Sequence, residues 1–243
     1  MIRLSVNVNK IATVRNSRGG RVPSVIEAVR TCLAAGSPGI TVHPRADARH
    51  ITPADVREIA AELEPARGAI EYNIEGDPRP DLLTLVREVQ PTQCTLVPVR
   101  PGEITSEAGW PVDTDRPWML STIAGLQEAG VRVSLFVDAA PDPIRWAAGM
   151  RADRIELYTE PYARAWERGE GQRSFDSYAR MAELAHALGL GINAGHDLDL
   201  ENLVLFRRLP YLDEVSIGHA IISRAIFVGL DRVVREYLDV LAA

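Results

Sequence analysis

The sequence predicts an α/β protein, a single-domain (β/α)8 TIM barrel that spans residues 1–243. Eight short β-rich runs alternate with longer amphipathic stretches along the 243 residues. Most of these runs are continuously apolar in the middle, as parallel strands are when helices cover both faces of their sheet. Eight strand–helix units in roughly 240 residues are typical of this barrel.

The eight predicted strands are separated by helical stretches with recognisable ends. The strands are predicted at 4–9, 39–43, 70–75, 93–98, 132–138, 154–159, 191–196 and 214–219. Several helical stretches end in Ala-Gly or Leu-Gly, which suits a helix C-cap, and some begin after Ser, Thr or Asp, which suits an N-cap. A doubly wound open sheet is the structural alternative, but it usually carries a glycine-rich loop after its first strand. The segment "NKIATVRNSRGG" that follows the first strand has no G-x-G-x-x-G motif.

The composition favours a soluble protein without a nucleic-acid or membrane partner. The formal net charge is −6 and no segment concentrates basic residues, so we expect neither a nucleic-acid nor a membrane partner. No apolar stretch reaches the roughly 18 residues of a membrane-spanning helix, and no targeting signal opens the chain, so we expect a cytoplasmic protein. Cys32 and Cys94 are too few for a disulfide framework and lie in apolar contexts, which favours reduced thiols in the core.

Polar side chains collect where the predicted strands end. Four of the five histidines lie there, together with two amides, a lysine, an arginine and a glutamate: His43, His50, His196 and His219, then Asn7, Asn9, Lys10, Arg45 and Glu75. One histidine at a strand end more often anchors a loop than catalyses a reaction, but four at the same end favour a site. Barrel enzymes carry their active sites at the C-terminal ends of the strands, so we expect these groups to meet at one mouth.

The segment after the first strand is distinctive, because Lys10 is the only lysine in a chain with 26 arginines. Asn7 and Asn9 alternate with apolar residues, so we expect both amides on one face of the strand. Structural hydrogen bonding is the alternative to a role in substrate binding. Three arginines follow on a loop or short helix, and one of them is a candidate for holding a phosphate: Arg15, Arg18 and Arg21.

Two matched segments, "NAGHD" and "SIGHA", end the seventh and eighth predicted strands in Gly-His. Loops after these two strands form the usual phosphate site of such barrels, often with a helix N-terminus. We therefore predict a phosphate cradle at Gly195–Asp197 and Gly218–Ala220, with two ordinary tight turns as the alternative. Metal binding is less favoured, because the first strand has no H-x-H motif and the strand ends have no cluster of carboxylates.

Six segments together resemble the pyridoxine 5′-phosphate synthase family: "VNVNKIATVRNSRGG", "GITVHPRADARHIT", "LVPVRPGEITSEAGW", "VSLFVD", "INAGHDL" and "VSIGHAII". They occur in order across essentially the whole chain. The resemblance implies a (β/α)8 barrel that assembles as a homo-octamer and uses neither a metal nor an organic cofactor. It also implies the condensation of 1-deoxy-D-xylulose 5-phosphate with 3-amino-2-oxopropyl phosphate. The products are pyridoxine 5′-phosphate, inorganic phosphate and water, in vitamin B6 biosynthesis.

The resemblance further implies roles for individual residues. Three are carried over as catalytic: the base His43, the glutamate Glu75 and the proton donor His196. Glu71 is a rival for the glutamate, and an ungapped count back from "LVP" favours Glu75. The aminoketone phosphate is expected at Asn7, Arg18, the backbone of Asp197, Gly218 and His219. The deoxyxylulose phosphate is expected at Asn9, Lys10, Arg45, His50 and Thr105.

Three segments differ from the better-known branch of that family and resemble a second branch. Asn9-Lys10 replaces Asp-His, Tyr158-Thr159-Glu160 replaces His-Thr-Gly, and Asp197 replaces Gly. Lys10 also leaves a second function open, a Schiff-base aldolase or lyase that acts on one sugar phosphate. A barrel that only senses pyridoxine phosphate is the third hypothesis, and the presence of all three catalytic positions argues against it.

Overall fold

A closed barrel of eight parallel strands forms the centre of the molecule. The structure is a computed structural model, and it describes residues 2–99 and 106–243. The strands pair in chain order and the last pairs with the first: β1 (Arg3–Asn7), β2 (Gly39–Val42), β3 (Glu71–Gly76), β4 (Gln93–Leu96), β5 (Arg132–Val137), β6 (Arg154–Leu157), β7 (Gly191–Ala194) and β8 (Leu212–Ile217). This architecture confirms the predicted fold class.

Helices surround the barrel and connect its strands. The described residues contain α1 (Asn9–Asn16), α2 (Val25–Ala34), α3 (Pro53–Leu63), α4 (Pro80–Val89), α5 (Arg116–Gln127), α6 (Pro141–Gly149), α7 (Glu160–Glu167), α8 (Gly171–Ala187), α9 (Leu203–Phe206), α10 (His219–Val228) and α11 (Leu230–Ala242). Side chains cap some helix starts, as the sequence indicates. Ser24 accepts a hydrogen bond from the amide of Glu27 at the start of α2, and Asp115 accepts one from the amide of Trp118 in α5.

Most of the strands end one or two residues earlier than predicted. The first strand ends at Asn7 instead of residue 9, because Asn9 already begins α1. The amide of Val8 still donates to the carbonyl of Thr41 on β2, 3.1 Å away, so the hydrogen bonding between the two strands continues one residue past the end of β1. The apolar pattern runs past the strand ends because residues just beyond the strands, such as Val8 and Val97, are buried as well.

The apolar core lies between the strands and the surrounding helices, while the barrel interior is largely polar. Side chains alternate along each strand, so Leu4 and Val6 of β1 join the large apolar cluster that includes helix residues. Ser5, between them, points inward, and its Oγ lies 2.6 Å from Oγ1 of Thr41 on β2. Hydrogen bonds of this kind across strands satisfy polar groups that would otherwise be costly to bury.

A network of charged side chains fills the N-terminal end of the barrel. Arg132 Nη2 lies 2.9 Å from Glu71 Oε1, and Arg3 Nε lies 3.5 Å from Glu71 Oε2. Glu214 is buried beside them, and burial together with the nearby carboxylate of Glu71 raises its pKa well above the usual value. Glu71 therefore has structural partners at the end of β3 that is remote from the C-terminal mouth.

Two expectations about cysteines and helices can be compared with the structure directly. Cys32 and Cys94 are both buried and unpaired, and burial raises the pKa of each thiol to about 12, which confirms the prediction of core thiols. Within the described part of the chain, none of the helices combines the length and the apolar character needed to cross a membrane.

Candidate active site

One cavity of about 880 Å³ opens where the C-terminal ends of the strands meet. Most of the site residues predicted from the sequence line it: Asn7, Asn9, Lys10, His43, Arg45, His50, Glu75, His196, Asp197, Gly218 and His219. Arg18 is exposed beyond the end of α1 and does not line the cavity. Thr105 lies outside the described residues. A volume of this size is typical of sites for small organic ligands.

Glu75 enters the cavity from the inward face of β3. Asn7 Nδ2 donates to Glu75 Oε2 at 3.4 Å, and Ser216 Oγ donates to Oε1 at 3.5 Å. Burial of most of the side chain, reinforced by the charge of Glu214, raises the pKa of Glu75 to about 8. The side chain is therefore mostly a neutral carboxylic acid at neutral pH. Because Glu75 lines the cavity and Glu71 does not, the geometry favours the choice made from the sequence.

His43 follows β2 and lies next to Glu75. Its Nδ1 is 3.9 Å from Glu75 Oε2, a contact that is too long for a hydrogen bond. Burial is the main cause that lowers the pKa of His43 to about 3, with further contributions from the charges of His50 and Arg45. Among the described residues, His43 Nε2 is buried without a hydrogen-bond partner. A neutral imidazole with an available nitrogen is the form that a general base requires.

Asn7 and Asn9 connect these groups in a way that the alternation of the sequence did not predict. We expected both amides on one strand face, but Asn9 is the first residue of α1. The amide of Asn9 donates to Asn7 Oδ1 at 3.1 Å, and Asn9 Oδ1 accepts from the amide of His43 at 2.9 Å. The two side chains therefore form a relay from Glu75, through the start of α1, to the backbone of His43.

The arginines after β1 also have a different use from the one considered in the sequence. Arg15 forms an ion pair with Asp55, and Asp55 also completes a capping box with Thr52 at the start of α3. Asn16 Nδ2 donates to the carbonyl of His50 at 2.8 Å, and Arg15 Nη2 donates to the same oxygen at 3.4 Å. Arg15 thus holds the segment that carries His50 and does not face the cavity.

Three basic groups form one edge of the cavity: Lys10, Arg45 and His50. Burial lowers the pKa of His50 to about 4, and the positive charges of Lys10 and Arg45 lower it further. Both positive charges act on His50, so the three groups share one electrostatic environment. A concentration of positive charge at a cavity edge favours a bound phosphate.

The turn after β7 presents His196 to the cavity. His196 Nδ1 lies 2.8 Å from Asp197 Oδ2, and the Thr159 hydroxyl donates to the His196 carbonyl. Glycine precedes His196 because a Cβ at Gly195 would lie 1.9 Å from the carbonyl oxygen of Ser216 on β8. The glycine therefore allows the close approach of two strand ends, a requirement separate from any ligand.

The N-terminus of α10 faces the same cavity. Gly218 precedes the helix, and a Cβ there would lie 2.9 Å from the carbonyl oxygen of Asn7. His219 and Ala220 begin the helix and line the cavity. The first amides of a ten-residue helix have no partner within the helix, so they suit an anion at this position. The predicted cradle after β7 and β8 thus has the geometry of an anion site.

Glu156 is a cavity residue at a strand end to which the sequence interpretation assigned no role. It lies on the inward face of β6, and burial, reinforced by the charge of Glu75, raises its pKa to about 8. Among the described residues, its Oε2 is buried without a hydrogen-bond partner. The signal in the sequence is a single carboxylate between apolar neighbours in "RIELY", where a solvated strand face is not expected.

Two carboxylic acids of raised pKa, a neutral histidine and two cavity edges suited to anions are typical of an acid–base enzyme of the (β/α)8 class that acts on phosphorylated small molecules. No group of three or more His, Cys, Asp or Glu side chains suited to a metal ion occurs in the described segments. A family model described as "Pyridoxal phosphate biosynthesis protein PdxJ" matches residues 4–243. The chain belongs to this family.

Relatives of the chain carry a consistent name. It is 49% identical over 243 residues to the pyridoxine 5′-phosphate synthase of Porphyromonas gingivalis, with 100% of both chains covered. It is also 49% identical over 242 residues to that of Christiangramia forsetii, with 99% of this chain and 100% of the relative covered. The match to the synthase of Xanthomonas oryzae is 49% over 248 residues, covering 99% and 96%.

Solved structures with low identity show the same barrel. A thiamine phosphate pyrophosphorylase from Pyrococcus furiosus has a TM-score of 0.62 at 11% identity, covering 99% of this chain and 96% of that chain. A phosphoribosyl anthranilate isomerase from Thermus thermophilus has a TM-score of 0.60 at 15% identity, covering 99% and 98%. These likenesses support the fold alone.

Proposed function

We propose that this cavity closes the pyridine ring by condensing 1-deoxy-D-xylulose 5-phosphate with 3-amino-2-oxopropyl phosphate. The amine of one substrate and the ketone of the other join as an imine and release water. One phosphate leaves, and ring closure is followed by dehydration to pyridoxine 5′-phosphate. Each step moves protons, so the site needs groups that exchange protons near neutral pH and places for two phosphates.

The observation that carries the proposal is the neutral His43 beside the protonated Glu75. At neutral pH the imidazole can accept a proton and the carboxylic acid can donate one, since their pKa values are shifted in opposite directions, to about 3 and about 8. His43 is the base, and Glu75 donates a proton and takes it back. His196 is the proton donor from the β7 side, and Glu156 is a second proton-holding carboxyl.

The two phosphates are assigned to two edges of the cavity. The aminoketone phosphate binds at the N-terminus of α10, with Gly218 and His219, the backbone of Asp197, and Asn7. Arg18 would have to move toward the cavity to take part. The deoxyxylulose phosphate meets the basic edge of Lys10, Arg45 and His50, next to Asn9. Thr105 belongs to this set through the family resemblance alone.

An assay with both substrates tests the proposal. Pyridoxine 5′-phosphate is followed by absorbance and inorganic phosphate by a coupled assay, and we expect both to form in equal amounts. His43→Ala and Glu75→Gln should lower kcat by about 10²–10⁴-fold. Glu71→Gln is the matched control, since it lies on the same strand at the other end of the barrel, and a folded Glu71→Gln protein should keep most of the activity. Activity that survives in Glu75→Gln would contradict the assignment.

Lys10 is proposed to bind substrate and not to form a Schiff base. Its side chain is exposed at the cavity edge, whereas a lysine that forms imines is often desolvated in an apolar pocket. The ammonium beside His50 and Arg45 instead suits a phosphate or a carbonyl oxygen. The aldolase or lyase alternative can be tested specifically by trapping an imine at Lys10.

We further propose that the chain assembles as a homo-octamer, as the resemblance implies. Ile226 and Phe227, near the end of α10, are 71% and 86% exposed, which is unusual for large apolar side chains and suits a covered surface in an assembly. Phe227→Glu should lower the mass measured by light scattering and leave the secondary structure intact. An unchanged mass would show that this surface is not part of a subunit interface.

We also propose that residues 1–243 act as one domain in the cytoplasm. The packing of α11 against β1 and α2 joins the two ends of the chain, which supports a single domain. The unpaired, buried Cys32 and Cys94 are compatible with a reducing compartment. Expression with a fluorescent tag and fractionation would test the location.

A further inference from the structure

The imidazole of His196 is held by several elements at once. The Thr159 hydroxyl, at the start of α7, donates to the His196 carbonyl, so the backbone is tied to the neighbouring strand end. The rings of Tyr158 and Phe136 lie against the imidazole, with centroid distances of 5.5 and 6.4 Å. These contacts restrict how the ring can turn. Which of its two nitrogens carries the proton depends on the polar group next to Nδ1.

That group is the side chain of Asp197. Its Oδ2 lies 2.8 Å from His196 Nδ1. Asp197 adopts a left-handed backbone conformation with φ of 64°, which is uncommon for a residue with a side chain. Asn202 Nδ2 donates to the Asp197 carbonyl at 3.1 Å, and Asn202 is itself buried, so the turn is fixed from the loop side as well.

We propose that Asp197 is a positioning residue for His196. Its carboxylate keeps a proton on Nδ1, so Nε2 first accepts a proton from the bound substrate. The resulting imidazolium, stabilised by Asp197, then donates that proton back. This inference deepens the proposed function and rests on the role of His196 as proton donor.

The chemistry of the pair gives the direction of the effect. An ionised carboxylate can only accept a hydrogen bond, so an Nδ1 at hydrogen-bond distance must carry the hydrogen. The hydrogen bond from His196 lowers the pKa of Asp197, and the charges of His219 and Arg164 lower it further, which keeps the side chain in the accepting form. An orienting carboxylate on a catalytic imidazole serves the same purpose in other acid–base sites.

The contact also explains how an acidic residue can lie beside a phosphate site. A carboxylate directed at a bound phosphate would repel it, but this carboxylate is directed at His196. The amide of Asp197 belongs to the backbone and stays available to the aminoketone phosphate. Side chain and backbone of one residue therefore serve different purposes, and substitutions of the side chain can separate them.

The tautomer of His196 can be measured directly. In protein with ¹⁵N-labelled histidine, the His196 signals are assigned by their loss in His196→Gln. We expect the Nδ1–H tautomer in the wild type and a shift toward Nε2–H in Asp197→Gly, which removes the carboxylate and accepts the left-handed backbone without strain. Glu201→Gln, in the same loop, is the control and should leave the His196 signals unchanged. An Nε2–H wild type, or an unchanged tautomer in Asp197→Gly, would overturn the inference.

Kinetics supply the second readout. Asp197→Gly and Asp197→Asn should lower kcat by about 10-fold, with KM for 3-amino-2-oxopropyl phosphate within about 3-fold of the wild type. An unchanged kcat with a lower KM would show that the carboxylate only repels phosphate, and the inference would fail. Full activity in His196→Gln would refute the proposed role of His196, while the tautomer measurement would still decide whether Asp197 sets its state.

Discussion

His43 Nδ1 lies 3.9 Å from Glu75 Oε2, although the two residues come from different strands and are 32 positions apart in the sequence. The pairing of β2 with β3 sets this distance, since Val42 lies opposite Ile74 in the parallel register. Burial then shifts the pKa values of the two groups in opposite directions. It removes the charge of each, because the charged form is the one that loses hydration.

The raised pKa of Glu75 should appear in the pH dependence of stability. The carboxyl has a pKa of about 8 in the folded protein against an ordinary value of 4.5, so the folded state binds more protons between these values. The free energy of unfolding should therefore fall as pH rises from about 4.5 to 8, with a contribution of up to about 1.4 kcal/mol per pH unit from this group. Urea unfolding of Glu75→Gln should show a shallower decline than the wild type. Parallel curves would mean that Glu75 titrates normally.

Glu156 should prove necessary for turnover and much less so for binding. Its amide replacement cannot transfer a proton, so Glu156→Gln should lower kcat by about 10²-fold while KM values stay within about 3-fold. Glu160→Gln provides a comparison, because Glu160 lines the same cavity but is paired with Arg164 on α7. Steady-state rates with each substrate varied in turn measure both effects. Equal losses in the two variants would show that the effect is not specific to proton transfer by Glu156.

Lys10 should contribute affinity for the deoxyxylulose phosphate. Lys10→Met should raise KM for that substrate by about 10-fold, and Lys10→Arg should recover only part of the loss, because a planar guanidinium replaces a point charge. Because Lys10 is the only lysine, borohydride trapping has one possible side-chain target. Mass spectrometry after treatment with substrate should show no adduct on Lys10. A reduced adduct there would favour the Schiff-base lyase instead.

Asn9 should matter through its acceptor oxygen. Asn9 Oδ1 accepts from the His43 amide, and an aspartate can make the same hydrogen bond. Asn9→Asp should therefore keep kcat within about 3-fold, whereas Asn9→Ala should lose about 1 kcal/mol of stability and about 10-fold in kcat. Thermal unfolding and steady-state kinetics check the pair. If the alanine variant matches the wild type, the relay through Asn7 and Asn9 has no role in placing His43.

Much of the site could be predicted because it follows from position along the chain. A histidine directly after a strand, such as His43, reaches the C-terminal mouth whenever the fold is a parallel barrel. The family motifs then distinguished Glu75 from Glu71 by spacing. Arg15 and Arg18 do not line the cavity in this structure. They lie beyond the strand, where the course of the backbone depends on contacts such as the ion pair of Arg15 with Asp55 of α3.

The sequence by itself determined the number and order of strands, the ends at which polar groups collect and many of the polar residues of the cavity, because these depend on local periodicity and chain direction. Only the tertiary structure decided which groups touch. The hydrogen bond from Asn9 to His43 and the burial of Glu156 depend on strand register and barrel closure. The contact of Asp197 with His196 depends on a left-handed turn that is held by the side chain of Asn202, five residues further along the loop. Contacts and burial set the protonation states, so the chemistry of the site is a property of the folded barrel.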